Sequence, residues 1–286
     1  MKKSLIALAV AATAAAPMIA SAASHGPSGA TVYGSFRTQI VSNGGDLDIG
    51  DGGSRYGVKG SHDLGNDMSA FYRIELKAAT DTANFPEGGR LGYAGVSGGF
   101  GSIALGQQWN PYYNQVSSSS DPFASAGLPF SPSPFRTGNA LTYTLASGGA
   151  VSGGIMLSID GDSAAEDEVD SVSLGVSFAA GPITVGLGVH DVKTNDDALV
   201  GLSLGGNIGG AKVILLMEDS GDTTPWALTA KVGSFLVQYS DDDADDNALT
   251  LGYTHKFSGK AKLQFSLQDV DSASDTKVVA RLRVDI

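Results

Sequence analysis

From about residue 30 onward, apolar side chains alternate with small or polar ones, the period-two signature of strands whose two faces meet different surroundings. Val172, Leu174, Val176 and Phe178 alternate with Ser171, Ser173, Gly175 and Ser177. Val278, Ala280, Leu282, Val284 and Ile286 do the same against Val279, Arg281, Arg283 and Asp285. Helical periodicity is scarce. Segmenting at Gly, Pro, Asn and Asp clusters predicts sixteen strands, near 30–40, 54–61, 67–78, 89–97, 101–108, 138–146, 151–159, 169–179, 182–191, 197–205, 209–218, 223–232, 234–240, 247–256, 261–269 and 276–286. Short Gly-rich turns such as Ala180-Gly181 and Ser258-Gly259-Lys260 alternate along the chain with longer, mostly acidic connections such as Asp241 to Asp246.

A soluble sandwich would pack large side chains between two sheets. Here the second face is too small and too polar for that. A closed membrane-spanning barrel uses both faces: apolar residues meet lipid, polar residues meet water inside, and closure pairs every backbone group. The predicted fold class is therefore all-β, a transmembrane antiparallel up-and-down barrel of about sixteen strands with a constriction loop folded inward. An even strand number returns both ends to the short-turn side. Sixteen strands leave an aqueous channel rather than a packed core.

The first 22 residues break the rhythm. Lys2 and Lys3 precede an apolar Ala-rich run from Leu5 to Ala16, and Ala20-Ser21-Ala22 offers a small-x-small cleavage site. Residues 1–22 are expected to be an export signal, and 23–286 the barrel. An uncleaved anchor is the competing reading, but the run is shorter than the roughly 20 residues a spanning helix needs.

Composition narrows the chemistry. The 286 residues carry 18 Lys and Arg against 30 Asp and Glu, a net charge of −12, and contain no Cys. Thiolate metal sites, disulfides and cysteine nucleophiles are thereby excluded, and the acidic balance argues against nucleic acid as a partner. None of His25, His62, His190 and His255 lies in a catalytic motif, so an enzyme is not expected. No cofactor is required. Asp46, Asp48 and Asp51, or Asp241, Asp243 and Asp245, have the carboxylate density of a calcium site, with plain solvated loops as the alternative. Tyr143, Trp226, Tyr239, Tyr253 and Phe257 stand near predicted strand ends, where aromatic belts meet lipid headgroups.

Two features concern the lumen. The connection from Trp109 to Thr137 contains Pro111, Pro122, Pro129, Pro132 and Pro134, which forbid ladder pairing, together with Trp109, Tyr112, Tyr113, Phe123, Phe130 and Phe135. Those rings favour a loop anchored inside the barrel over a disordered one. Alternation also turns Arg37, Arg55, Lys59, Arg73 and Lys77 inward on the first three strands, and Arg281 and Arg283 on the last. Closure makes these strands neighbours, so seven cations share one sector of the wall. Asp121 in the loop would face that strip, and a transverse field across a pore orders water and penalises apolar solutes. The competing reading is neutralisation by Glu75 or Asp285.

Three phrases resemble the Gram-negative general-diffusion porins, particularly the trimeric porins of proteobacteria: Val32-Tyr33-Gly34-Ser35-Phe36, the run from Ser54 to Gly65, and the run from Gly95 to Gln107. The resemblance covers roughly the first third of the chain beyond the leader. It implies a homotrimer in the outer membrane, a third loop folded inward, and passive diffusion of small hydrophilic solutes and ions. By position it assigns Arg37, Arg55 and Arg73 to the basic side of a constriction and Asp121 to the loop opposite. Such porins usually end in Phe, whereas this chain ends Val284-Asp285-Ile286. Counting inward bases predicts a constriction favouring anions beneath acidic loops that attract cations. A substrate-specific channel of the same architecture, a plugged barrel serving as adhesin or enzyme, and a secreted soluble β-protein are the alternatives.

Overall fold

The computed structural model describes residues 29–121, 128, 130–146, 148–160, 169–273 and 275–286; the leader, His25, Pro122, Phe123 and Pro129 lie outside them. One antiparallel sheet holds the described strands. They are β1 Gly29–Asn43, β2 Asp46–Asp51, β3 Arg55–Gly65, β4 Met68–Ala79, β5 Asn84–Gly98, β6 Gly101–Trp109, β7 Arg136–Thr137, β8 Ala140–Thr144 and β9 Val151–Ser158. There follow β10 Ser171–Ala180, β11 Ile183–Val192, β12 Leu199–Ile208, β13 Ala211–Asp219, β14 Trp226–Val232, β15 Phe235–Asp241, β16 Asn247–Lys256, β17 Ala261–Val270 and β18 Lys277–Asp285. Apart from the short β2 and β7, these are the sixteen strands expected.

The sheet closes on itself. The first half of β1 pairs with β3, from Gly29↔Ser61 to Ser35↔Arg55, and its second half pairs with β18, from Ser35↔Asp285 to Ser42↔Val278. Ile286 extends this closure, its N–H donating to the Gly34 carbonyl at 3.0 Å. The described strands thereby join into a ring, the arrangement in which strands can cross a hydrocarbon layer. No helix among the described residues is long and apolar enough to span a membrane.

Burial follows the alternation with its usual sense reversed. On β15 and β16, Val237, Tyr239, Leu249 and Leu251 are exposed, whereas Gln238 and Thr250 are enclosed. A water-soluble fold would hide the first set; a cylinder in lipid hides the second. Rings cluster on this outer face at both rims. Trp226 and Tyr239 pair at 5.6 Å toward the long loops, and Phe235 and Tyr253 at 5.0 Å toward the short turns, as interfacial belts require.

β2 is a correction to the unpaired connection expected between the strands near 30–40 and 54–61. Leu47 and Ile49 alternate with Asp46 and Asp48, a strand pattern masked by its acidic partners, and the segment folds back on β1 from Thr38↔Asp51 to Asn43↔Asp46. Its carboxylates do not converge. Asp51 accepts from the Gly53 and Ser54 amides and from Thr80 Oγ1, while Asp241 and Asp243 accept from the Asp243 and Thr224 amides. Among the described residues no group of three His, Asp or Glu side chains is placed to hold a metal ion.

Candidate functional site: a loop across the lumen

After β6 the chain turns inward and forms a one-turn helix, α1, at Pro111–Gln115. The local signal is an N-cap followed by proline. The Asn110 side chain accepts the Tyr112 amide at 2.9 Å, and Pro111 occupies the first helical position, where its missing N–H costs nothing. A 3₁₀ turn, Ser117–Ser119, carries the chain on to Asp121.

The helix lies against β10–β12. In a ring of sixteen wall strands, β11 stands eight strands from β1 in either direction, so this is the side facing the cationic strip. Glycine permits the approach. A Cβ at Gly175 would strike the Pro111 carbonyl, one at Gly186 the Gln115 carbonyl, and one at Gly201 the Tyr112 hydroxyl. Tyr112 and Val116 fill that floor, fully buried with Leu199, Leu216 and Ala227. Gln115 Oε1 accepts from Ser152 and Ser177 Oγ, Gln238 donates to the Ser120 carbonyl at 2.7 Å, and Ser131 donates to Glu218 at 2.6 Å. The returning strand is fixed where the Asn110 amide meets the Phe135 carbonyl at 3.0 Å. Trp109 stacks on Tyr113 at 5.2 Å, and Tyr113 meets Phe135 at 4.9 Å. The expected anchoring by rings is thus local for three of them, whereas Tyr112 does the docking. Phe130 lines a small cavity together with Leu216 and Trp226, and Phe123 falls outside the described residues.

On the opposite wall one carboxylate organises the cations. Glu75, 1% exposed, accepts from Tyr33 Oη at 3.0 Å, Arg73 Nη2 at 2.8 Å and Arg90 Nε at 2.9 Å, with Arg55 Nε at 3.9 Å. Arg73 Nε also donates to Tyr33 Oη at 2.7 Å, with its guanidinium over the Tyr33 ring. Lys59 lies over the same ring at 5.7 Å. Lys77 turns to Glu87 at 2.9 Å, and Arg283 to Asp285 at 2.7 Å. Arg281 donates to Gln39 Oε1, and Arg37 Nε to Ser35 Oγ at 3.0 Å. Glu75, Glu87 and Asp285 thus pair with part of the strip, while Arg37 rests on a serine hydroxyl.

Arg90 and Arg136, which strand alternation does not place in the lumen, join this cluster. Strict alternation from Tyr93 turns Arg90 outward. A bulge in β5 overrides it: Glu75 pairs with Leu91 and Leu76 with Gly89, leaving Arg90 as the extra residue, aimed at Glu75. Arg136 belongs to β7, within the segment read as unpaired, and its guanidinium lies 5.1 Å over Trp109.

Asp121 comes down on the loop side, accepting from Tyr113 Oη at 2.9 Å. Burial pushes its carboxyl up; the Tyr113 hydrogen bond and the Arg281 guanidinium pull it down by less. A carboxyl raised on folding stabilises the seated loop fully below its ordinary value of 3.8, and that contribution is lost as pH rises through the raised value. Acidification from neutral pH should therefore raise the melting temperature of the native chain relative to Asp121→Asn. Parallel melting curves of the two proteins would mean that Asp121 is not held in this buried position.

A closed wall with lipid-facing apolar residues, a polar interior and a loop docked across it defines a transmembrane channel barrel. The family model for the Gram-negative porin matches residues 7–277, and the chain belongs to that family. It is 29% identical to Outer membrane porin protein 32 of Delftia acidovorans over 93% of this chain and 89% of that one. It is 35% identical to Major outer membrane protein P.IB of Neisseria meningitidis serogroup A, but that match takes in 37% of this chain and only 34% of the relative's length. Among solved structures, the anion-selective porin from Comamonas acidovorans superposes with a TM-score of 0.72 at 20% identity, covering 91% of this chain and all of that one. Salmonella typhi OmpF in complex with daunomycin gives 0.73 at 14% identity, covering 91% and 98%. At these identities the superpositions speak for the fold.

Proposed function

We propose that the chain is a passive diffusion channel of the outer membrane for small hydrophilic solutes and ions, with a constriction that favours anions. The observation carrying this reading is the pairing of a loop docked on glycines with a facing wall of Arg37, Arg55, Arg73, Arg90, Arg281 and Arg283. No step in the transport needs energy input; width and fixed charge do the selecting. The preference for anions agrees with the description of the Comamonas relative, while the acidic long loops act as an outer vestibule that concentrates cations. The outward Val, Leu and Phe stripes take membrane lipid as their solvent. The resemblance to trimeric porins supports a homotrimer, to be read from the mass of the complex in detergent.

In a planar bilayer separating concentrated from dilute KCl, the dilute chamber should become negative at zero current, because chloride crosses faster than potassium. A dilute chamber that becomes positive would overturn the selectivity while leaving the channel itself standing.

A further inference from the structure

From Arg37 and Arg283 of the strip, the strand register continues a row of cations toward the short-turn mouth. On β16, β17, β18 and β1, four adjacent strands, Lys256 pairs directly with Lys262, Lys262 with Arg283, and Arg283 with Arg37. All four share the inward phase of Thr250, Gln264, Arg281 and Ser35. Like charges placed directly opposite each other across strands are destabilising, so this rung works against the sheet that carries it. One carboxylate, Asp285, serves it, through Arg283 at 2.7 Å. Among the described residues Arg37, 4% exposed, makes no ion pair and leans on a serine hydroxyl; Lys256 and Lys262 make none either. Arg37, Arg283 and Lys256 all lie within electrostatic reach of Lys262.

The position of the rung gives it a direction. Lys256 ends β16 and Lys262 is the second residue of β17, so both flank a short turn at the rim, whereas Arg37 lies midway along β1 beside Arg55. Strand tilt makes the hydrogen-bonding direction climb the barrel. The row therefore ascends from the short-turn mouth to the constriction. Neighbouring strands are about 4.8 Å apart, a spacing at which one tetrahedral oxyanion touches two or three of these side chains. Arg283 offers a planar fork to such an anion, and the lysines offer point charges.

We infer that the Lys256–Lys262–Arg283–Arg37 rung is an anion-binding site at the short-turn mouth, suited to a compact divalent oxyanion of the phosphate type. It rests on the diffusion-channel reading for its role in flux, since it would gather dianions before they meet the constriction. Monovalent chloride gains less from several cations at once and passes.

Single-channel chloride current tests it. Inorganic phosphate should block the current of the native channel, more deeply from one chamber than from the other. The K256Q/K262Q double variant should need about tenfold more phosphate for half block, the loss of about 1.4 kcal/mol of binding. Its step size in phosphate-free KCl should stay close to that of the native channel, and K262R should keep the block. Equal block of native and double-variant channels, or block no deeper than ionic strength alone produces, would overturn the site. Should no steps appear in KCl at all, the channel reading fails instead. The rung is then decided by equilibrium dialysis of labelled phosphate against detergent-solubilised protein, where equal retention by native and double-variant chains would refute it.

Discussion

Glu75→Ala is expected to lower stability by about 3 kcal/mol, the low end of the 3 to 5 that follows removal of one partner from a buried ion pair. The reason is the crowding of cations around that carboxylate. Arg90 is nearly enclosed and among the described residues would be left with no carboxylate in ion-pair contact, whereas the Arg55 and Arg73 side chains are 23% and 30% exposed and can rehydrate in the lumen. Tyr33 also loses its acceptor. The same change adds one net positive charge to the strip, so the zero-current potential should move further toward anions. Thermal melting in detergent measures the first effect and the salt-gradient potential the second. A variant that melts with the native protein would show that lumen water, and not Glu75, holds these guanidinium groups.

The largest effect on flux is expected from the glycine floor. In Gly201→Leu the new side chain must occupy the volume of the Tyr112 hydroxyl and of Val116, and neither can retreat through the wall. The loop should lift from β10–β12, forfeiting burial worth about 3 to 5 kcal/mol by analogy with truncating a large core residue. The wall keeps its ladders, so the barrel should remain assembled. Larger conductance steps should result, together with passage of neutral polymers that the native channel excludes. Steps of native size from a correctly folded variant would mean that the loop's docking on this floor does not set the channel's width.

The wall was legible because lipid and water impose opposite chemistry on alternate residues. Val237, Tyr239, Leu249 and Leu251 could be separated from Gln238 and Thr250 by parity alone. The inward cations followed from the same parity, and Arg37, Arg55, Arg73 and Arg281 occupy the face it assigned. What parity could not reach was any place where the backbone breaks step. Arg90 sits at a bulge, and no local residue signals that Gly89 and Leu91, not Arg90, take up the pairing with β4. Arg136 lies next to a proline-rich segment and pairs with β6 all the same. The docking floor was hidden for another reason. Gly175, Gly186, Gly188 and Gly201 read as ordinary small inward residues, and their use depends on a helix more than 50 residues away in sequence. The Asn110-Pro111 cap was the one local clue to that helix.

The most direct test of the whole account is the electrical one. Detergent-purified protein added to a planar bilayer in KCl should give discrete upward steps of conductance that grow with salt concentration, as water-filled cylinders do. Protein that remains a compact monomer in detergent-free buffer, or that inserts and leaves the bilayer insulating, would contradict it.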